Sequence, residues 1–250
     1  ANEDGTHRLD KNCLHIWPRG EFMMIALANQ DGSFTCTLFF PMKGEESFDT
    51  INTPEKVSAF FNKTFPDAVP MMPTLLEDYF ENPTSSLVMI RCNPWNIEDK
   101  VLLLGDSSHA TVPFYGQGMN SGFEDCTVFS EMLDAANGNW DGLFDEYSKV
   151  RVKDGNAIID LSLMNYIEMR DLTGNKDFLL RKKIEAKFSN LHPEKWIPMY
   201  SQTTFTHIPY HQVIANGKAQ DVVMEEVMKM PNIHENWDAE EVMEKMLSLV

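Results

Sequence analysis

The residues best suited to chemistry lie between positions 101 and 120 of this 250-residue chain. Four apolar residues, 101–104, predict a buried parallel strand that ends at Gly105-Asp106. A carboxylate in that place can accept hydrogen bonds from sugar hydroxyls, and the glycines that follow let the backbone approach a ligand closely. A helical pattern begins near Gly118, and a helix N-terminus favours an anion. The pattern therefore indicates a nucleotide-like cofactor site; the alternative is a plain α/β domain in which Asp106 only caps a helix.

The segment 105–126 carries a longer motif, GDSSHATVPFYGQGMNSGFEDC. It resembles the second flavin-binding motif of the single-component FAD aromatic hydroxylases, which runs GDxxH, then Pro, then GQGxNxGxxD. Ser107 and Ser108 stand where that motif more usually has Ala-Ala, a change that we expect to be tolerated. We interpret His109 as a structural hydrogen-bonding residue rather than a base. The resemblance implies FAD as cofactor, held by Asp106, Pro113, Gly116, Gly118, Met119 and Asn120.

Other stretches narrow the resemblance to one family of that class, the kynurenine 3-monooxygenases. With the flavin motif, the likeness spans about residues 7–217 and includes the segments 14–19, 22–27, 33–39, 165–170 and 196–200. It implies hydroxylation of L-kynurenine to 3-hydroxykynurenine, a step of tryptophan catabolism, through a flavin C4a-hydroperoxide formed with NADPH and O₂. The cofactor carries that chemistry, while the protein binds, orients and excludes water. The alternatives are another FAD-dependent aromatic-ring hydroxylase and a non-catalytic fragment.

The same resemblance implies a substrate pocket with apolar walls and polar partners. Its residues are Ile25, Leu27 and Phe39 from a sheet, Phe114, Tyr115 and Gln117 beside the flavin, and Asn165, Glu168 and Tyr200 from a helical region. The family's carboxylate-binding Arg and its partner Tyr belong to a part of the fold that this sequence lacks, and neither Arg19 nor Arg170 is assigned in their place. No Ser/His/Asp set or metal cluster stands out, so we assign no catalytic residue and no metal ligand.

The composition limits the partners. A formal net charge of −17 argues against binding nucleic acid or an anionic membrane. Four cysteines without CxxC spacing favour reduced thiols in a cytoplasmic protein. The longest charge-free run, 196–217, is too polar to span a bilayer, and an acidic amphipathic tail follows at 218–250. The predicted partners are therefore a small-molecule substrate and O₂, with the oligomeric state left open.

The elements that must position these residues change character along the chain. Alternating apolar residues predict an antiparallel meander at 13–17, 22–28 and 33–40, and Thr53-Pro54 predicts a helix start. Residues 86–92 predict a strand that leads into the flavin motif. Further helices are predicted near 75–80, 123–133, 144–165, 178–190, 222–230 and 239–249.

No GxGxxG turn occurs, because Gly5, Gly20, Gly32 and Gly44 are isolated. We therefore expect the C-terminal part of a longer protein that lacks its first nucleotide-binding unit. The predicted fold class is mixed α/β (α+β), as part of a class A flavoprotein monooxygenase fold. The predicted domains are a substrate-binding sheet with inserted helices at 1–92, the C-terminal part of an FAD-binding domain at 93–150, and a helical region at 151–250.

Overall fold

The computed structural model describes residues 1–250, and these form two compact units. The sheet unit comprises residues 1–86 and 168–174, and the helical unit comprises residues 87–167 and 175–250. The predicted mixed α/β class is confirmed, with small antiparallel sheets and many helices. The functional domains predicted from the sequence follow a different division and stay a prediction. None of the helices is long and apolar enough to cross a membrane.

The sheet unit is built on the predicted meander. Strands β1 (His15–Pro18), β2 (Met23–Ala28) and β3 (Phe34–Phe39) pair antiparallel in the order β1-β2-β3. Met24 lies opposite Trp17 on one neighbouring strand and Leu38 on the other, so these three side chains share one face. That face packs against the core of the unit.

Helix α1 (Pro54–Thr64) covers this face and begins where the sequence predicts. The Thr53 side chain accepts a hydrogen bond from the Lys56 N–H, and Pro54 fits the first helical position, which needs no N–H donor. The core between helix and sheet is dominated by aromatic rings, each contributing roughly 1.5–3 kcal/mol on burial; they include Phe22, Phe60, Phe61 and Phe65. A 3₁₀ turn (Val69–Met71), helix α2 (Leu75–Glu81) and a π-helical turn (Glu168–Leu172) complete the unit.

The helical unit begins with a short hairpin and continues as helices. Its elements are β4 (Asn96–Ile97), β5 (Val101–Leu102), α3 (Asp106–His109), α4 (Gly118–Ala135), α5 (Leu143–Ile167), α6 (Lys176–Leu191), α7 (Met199–Phe205), α8 (Tyr210–Val227), α9 (Ile233–Asn236) and α10 (Glu240–Leu247). Helices α4, α5, α6 and α10 correspond to predicted helices. Helix α8 begins at Tyr210, well before residue 222, the predicted start. Pro209 immediately precedes its first turn, where a proline does not interrupt the helix.

Two predicted strands are wrong. Residues 101–104 are not a buried parallel strand: only Val101–Leu102 is extended, it pairs antiparallel with β4, and Val101 is 46% exposed. Residues 86–92 form no strand, and Val88 is 64% exposed. An apolar run becomes a strand only when a neighbour supplies the hydrogen-bond ladder, and within this chain Ile90 has a single such bond, to the Ala110 carbonyl.

Helix α5 runs through the helical unit and carries one notable glycine. A Cβ atom at Gly155 would lie 2.5 Å from the Trp95 ring, so only glycine allows the indole to pack against the helix. The Trp95 ring in turn stacks on His109, with ring centroids 5.1 Å apart. The Trp95 ring therefore lies between Gly155 of α5 and His109 of the flavin motif.

Candidate functional site: an exposed glycine-rich turn on a buried ionic cluster

The turn at Gly105-Asp106 is fixed by its backbone. Gly105 has φ +58°, a conformation that favours glycine, and its close neighbour is Gly122 of α4. Its carbonyl accepts hydrogen bonds from the N–H groups of Ser108 and His109, at 2.9 and 3.0 Å. The chain turns directly into α3, and the Asp106 carboxylate is left exposed at the first position of that helix.

A second exposed stretch leads into α4. Pro113, Gly116, Met119 and Asn120 are all exposed, and Met119 is 70% exposed. Gly116 has φ +66°, which again requires glycine, and α4 then begins at Gly118. The first N–H groups of a helix have no intrahelical acceptor and carry partial positive charge. The six residues predicted to hold FAD therefore lie on two short segments, and the second of these ends at a helix N-terminus.

A buried carboxylate, Asp125, bonds to the backbone of the turn. Its Oδ2 accepts hydrogen bonds from the Gly105 N–H at 2.9 Å and from His109 Nε2 at 2.6 Å. Its Oδ1 accepts two more from Arg151, from Nε at 3.0 Å and from Nη2 at 2.8 Å. Arg151 also donates to Glu124 at 3.0 Å. Asp125 is fully buried, and all four hydrogen bonds come from other elements of the helical unit.

The electrostatics keep this cluster ionised. Burial alone would raise the pKa of Asp125, but hydrogen bonds from His109 and Gly105 and the charge of Arg151 hold it below its usual value. Burial would likewise lower the pKa of Arg151, yet Glu124 and Asp125 raise it. An ionised carboxylate only accepts hydrogen bonds, so His109 carries its proton on Nε2. This agrees with the interpretation of His109 as a structural hydrogen-bonding residue.

Buried side chains of the same loop point away from the exposed stretch. Phe114, Tyr115 and Gln117 are buried, although they are predicted to face the substrate. The Phe114 ring packs 4.5 Å from Tyr166, and its carbonyl accepts a 2.9 Å hydrogen bond from Asn165 Nδ2. Gln117 accepts one from Asn120 at 3.0 Å. The loop thus has an exposed side at Pro113 and Gly116 and a buried side formed by the rings of Phe114 and Tyr115.

Helix α7 brings Tyr200 to this layer. The Tyr200 ring stacks on Tyr115 with centroids 5.3 Å apart and planes 25° apart, and Tyr200 remains 48% exposed. The structure therefore brings Tyr200 and Asn165 together with the glycine-rich loop, although they are far from it in sequence. The role of these residues in substrate binding stays a prediction.

The remaining predicted substrate residues belong to the sheet unit. Met23 lies opposite Phe39, so Phe39 shares a sheet face with Ile25 and Leu27, the face opposite to the aromatic core. Leu27 is 50% exposed, while Ile25 and Phe39 are half-buried. Glu168 opens the π-helical turn of the same unit and is half-buried.

Sequence reasoning did not anticipate the supporting residues. Asp125 is the last residue of the GQGxNxGxxD motif, and that position was the available signal for its importance. Arg151, 26 residues further along the chain, and Trp95 gave no comparable signal, because their partners are set by the fold.

Comparison with known proteins first gives the class. Residues 73–162 match a family model described as an FAD binding domain. That span contains the turn, α3, α4 and most of α5. Together with the mixed fold, the match gives the class of this segment, part of an FAD-binding domain.

Individual relatives then narrow the comparison. The chain is 52% identical over 250 residues to kynurenine 3-monooxygenase of Flavobacterium johnsoniae, and the matched region makes up 100% of this chain and 56% of the relative. It is 51% identical, with the same coverage, to kynurenine 3-monooxygenase of Flavobacterium psychrophilum. The pig protein (Sus scrofa) of that name is 42% identical over 224 residues, 89% of this chain and 47% of the relative. The chain is similar over most or all of its length to these kynurenine 3-monooxygenases, and it spans about half the length of the curated relatives it matches.

Proposed function

We propose that this chain contributes the second FAD-binding segment and a substrate pocket to an enzyme that hydroxylates L-kynurenine, with NADPH as reductant and O₂ as oxidant. The names of its relatives support the reaction. The observation that carries the proposal is the loop 113–120, whose exposed backbone leads to a helix N-terminus while its buried side of Phe114 and Tyr115 meets Asn165 and Tyr200. Four free cysteines are compatible with the cytoplasmic location proposed for it.

The residues of the turn fit a flavin nucleotide. Asp106 offers an exposed carboxylate to ribityl hydroxyls, and Pro113, Gly116 and Met119 offer an open surface beside a close-approach backbone. The N–H groups at Gly118 and beyond favour negative charge on the bound cofactor. Bound FAD would supply the redox chemistry by which O₂ reacts with the substrate. The residues of this chain would bind it and orient it.

Substrate-binding residues are proposed in each unit by itself. L-Kynurenine has a flat aromatic ketone and a charged amino-acid end. Tyr200, held by its stack on Tyr115, presents a hydroxyl from a half-exposed ring, and it is the proposed partner of the polar end. Ile25, Leu27 and Phe39 share one face and are proposed as an apolar wall, with Glu168 as a further polar partner. Asn165 is proposed to act by fixing the loop at Phe114.

The experiment that tests the proposed function uses the complete protein that contains this chain. We expect a yellow protein with flavin absorption bands that forms 3-hydroxykynurenine from L-kynurenine at the expense of NADPH. The measurement is product formed per NADPH consumed, with L-kynurenine and with a simple benzoate in parallel. Equal turnover of the benzoate would favour a general aromatic-ring hydroxylase, and a colourless protein that binds no added FAD would refute flavin chemistry.

Asp106→Ala isolates the cofactor contact. A charged hydrogen bond of this kind contributes about 1.5–3 kcal/mol, so the variant should bind FAD tenfold to a hundredfold more weakly and lose flavin on purification. Asp134→Ala is the matched control, because Asp134 is an exposed carboxylate near the other end of α4. Full flavin occupancy in Asp106→Ala would remove Asp106 from the site.

A further inference from the structure

We propose that Asp125 is a positioning residue for the cofactor: clamped by Arg151 and His109, it holds the Gly105–Asp106 turn in the shape that receives FAD. The inference rests on the proposed FAD site and assigns a role to residues that touch no ligand. It differs from a general stabilising role, because it predicts a defect that is concentrated in flavin binding.

Asp125 is in direct contact with the turn. The N–H of Gly105 donates to Asp125 Oδ2 at 2.9 Å, and Gly105 is the residue immediately before Asp106. Because Gly105 adopts φ +58° and ψ −139°, a small rotation there changes the direction in which the next residue leaves. The hydrogen bond therefore fixes the orientation of the exposed carboxylate of Asp106.

Asp125 itself is held firmly by its neighbours. Two hydrogen bonds from Arg151 reach Oδ1, while His109 and Gly105 share Oδ2, so both oxygens are oriented and the carboxylate plane cannot rotate freely. The Tyr147 hydroxyl donates to the Asp125 backbone carbonyl at 3.2 Å. A carboxylate fixed from both α3 and α5 can transmit that rigidity to the one N–H of the turn.

Asp125 also connects the two exposed segments. Asp125 lies on α4, whose N-terminus ends the second segment, and it bonds to Gly105, which begins the first. His109 closes α3 and bonds to the same oxygen. One side chain thus sets the spacing between the carboxylate of Asp106 and the start of α4, the two features proposed to contact FAD.

The test measures FAD affinity and protein stability separately in the complete protein. Asp125→Asn keeps the shape of the side chain and removes its charge, and Glu185→Gln is the control. Glu185 is also a buried carboxylate, 5% exposed and bonded to Arg181 at 2.7 Å, but on α6. We expect Asp125→Asn to weaken FAD binding by about tenfold to a hundredfold, the range that loss of a buried hydrogen bond corresponds to. Glu185→Gln should leave FAD binding unchanged even where it lowers the melting temperature of the apoprotein.

A double-mutant cycle with Asp106→Ala identifies the route. If Asp125 acts through the turn, Asp125→Asn should weaken FAD binding much less when Asp106 is already alanine. The proposal is overturned if the two substitutions weaken FAD binding by independent factors that multiply in the double variant. It is also overturned if Asp125→Asn weakens FAD binding no more than Glu185→Gln does when the two variants are equally stable.

A milder variant guards against loss of folding. Arg151→Lys keeps a cation beside Asp125 and removes the two-bond fork, so it should show the same pattern at smaller size. If Asp125→Asn does not fold, the same criteria apply to Arg151→Lys. Wild-type protein that binds no FAD would refute the proposed function together with this inference, whereas normal FAD binding by both variants would refute the inference alone.

Discussion

Two regions of the helical unit are stabilised in different ways. The turn region, formed by α3, α4 and the middle of α5, is built around buried charges: Asp125, Arg151 and His109 are each at most 4% exposed. The carboxyl-terminal region, formed by α6, α8 and α10, is built around apolar side chains such as Phe188 and Met246, which are fully buried. Hydrophobic burial has no direction, whereas hydrogen bonds between charged groups do.

The difference shows what each region must achieve. The carboxyl-terminal core needs only to exclude water, and many side-chain arrangements of similar volume meet that need. The turn region must hold an exposed backbone segment in one shape, although nothing covers that segment within the unit. Directional bonds to a single carboxylate supply that shape at the cost of desolvating several charges. The predictions below test this contrast.

The largest expected effect comes from removing one charge of the turn region. Arg151→Met leaves Asp125 buried without its cation, and breaking a buried pair in this way costs about 3–5 kcal/mol of unfolding free energy. Chemical denaturation of the variant gives that value. The control is Lys149→Met, which removes an exposed cation paired with Asp145 on the same helix and should cause no measurable change. Equal, small effects of both substitutions would remove the contrast between the regions.

A smaller effect is expected from a pair of glycines, one in each region. Gly155→Ala puts a methyl group 2.5 Å from the rigid Trp95 ring, and overpacking of this kind costs about 1–3 kcal/mol. Gly217→Ala in α8 meets Met199 Sδ at a similar distance, but that side chain is flexible and can move away. The better helix propensity of alanine then offsets the remaining cost, by up to about 1 kcal/mol. Melting temperatures should therefore fall for Gly155→Ala and change little for Gly217→Ala; the reverse order would contradict this reading.

The smallest structural change concerns the stack between Tyr200 of α7 and Tyr115 of the glycine-rich loop. Tyr200→Phe keeps the stack on Tyr115 and removes only the hydroxyl, so stability and FAD content should be unchanged. If the hydroxyl bonds the substrate, kcat/KM for L-kynurenine should fall by the equivalent of about 1–2 kcal/mol, and more NADPH should be consumed per product. Leu191→Ala, at an exposed side chain at the end of α6, is the control. An unaltered kcat/KM in Tyr200→Phe would exclude the hydroxyl from the pocket.

Local signals in the sequence predicted local structure well. The meander and the start of α1 were predicted correctly because alternation and the Thr53-Pro54 cap act within a few residues. The apolar runs at 86–92 and 101–104 were misread, since periodicity cannot show whether a run has a neighbouring strand to pair with. The residues proposed to bind FAD came from the motif, and the structure adds their exposure.

The supporting cluster could not be predicted in the same way. Arg151 pairs with Asp125 across 26 residues, and Trp95 fits against Gly155 only because α5 passes beside the hairpin. Such pairs are defined by packing between elements. The contact of Tyr200 with Tyr115 spans an even longer separation and follows from the path of α7.

The position of Trp95 beside His109 makes its fluorescence a candidate probe of the turn. Its indole is 2% exposed, donates from Nε1 to the Cys92 carbonyl at 3.1 Å, and lies parallel to the His109 ring within 27°. The emission of an indole depends on the groups packed against it, so we expect a shift of His109 to change the fluorescence of Trp95. Among the five tryptophans of the chain, it is the one in contact with the flavin motif. The fluorescence of Trp95 should therefore respond to movement of the Gly105–Asp106 turn, with no added label and no catalytic turnover.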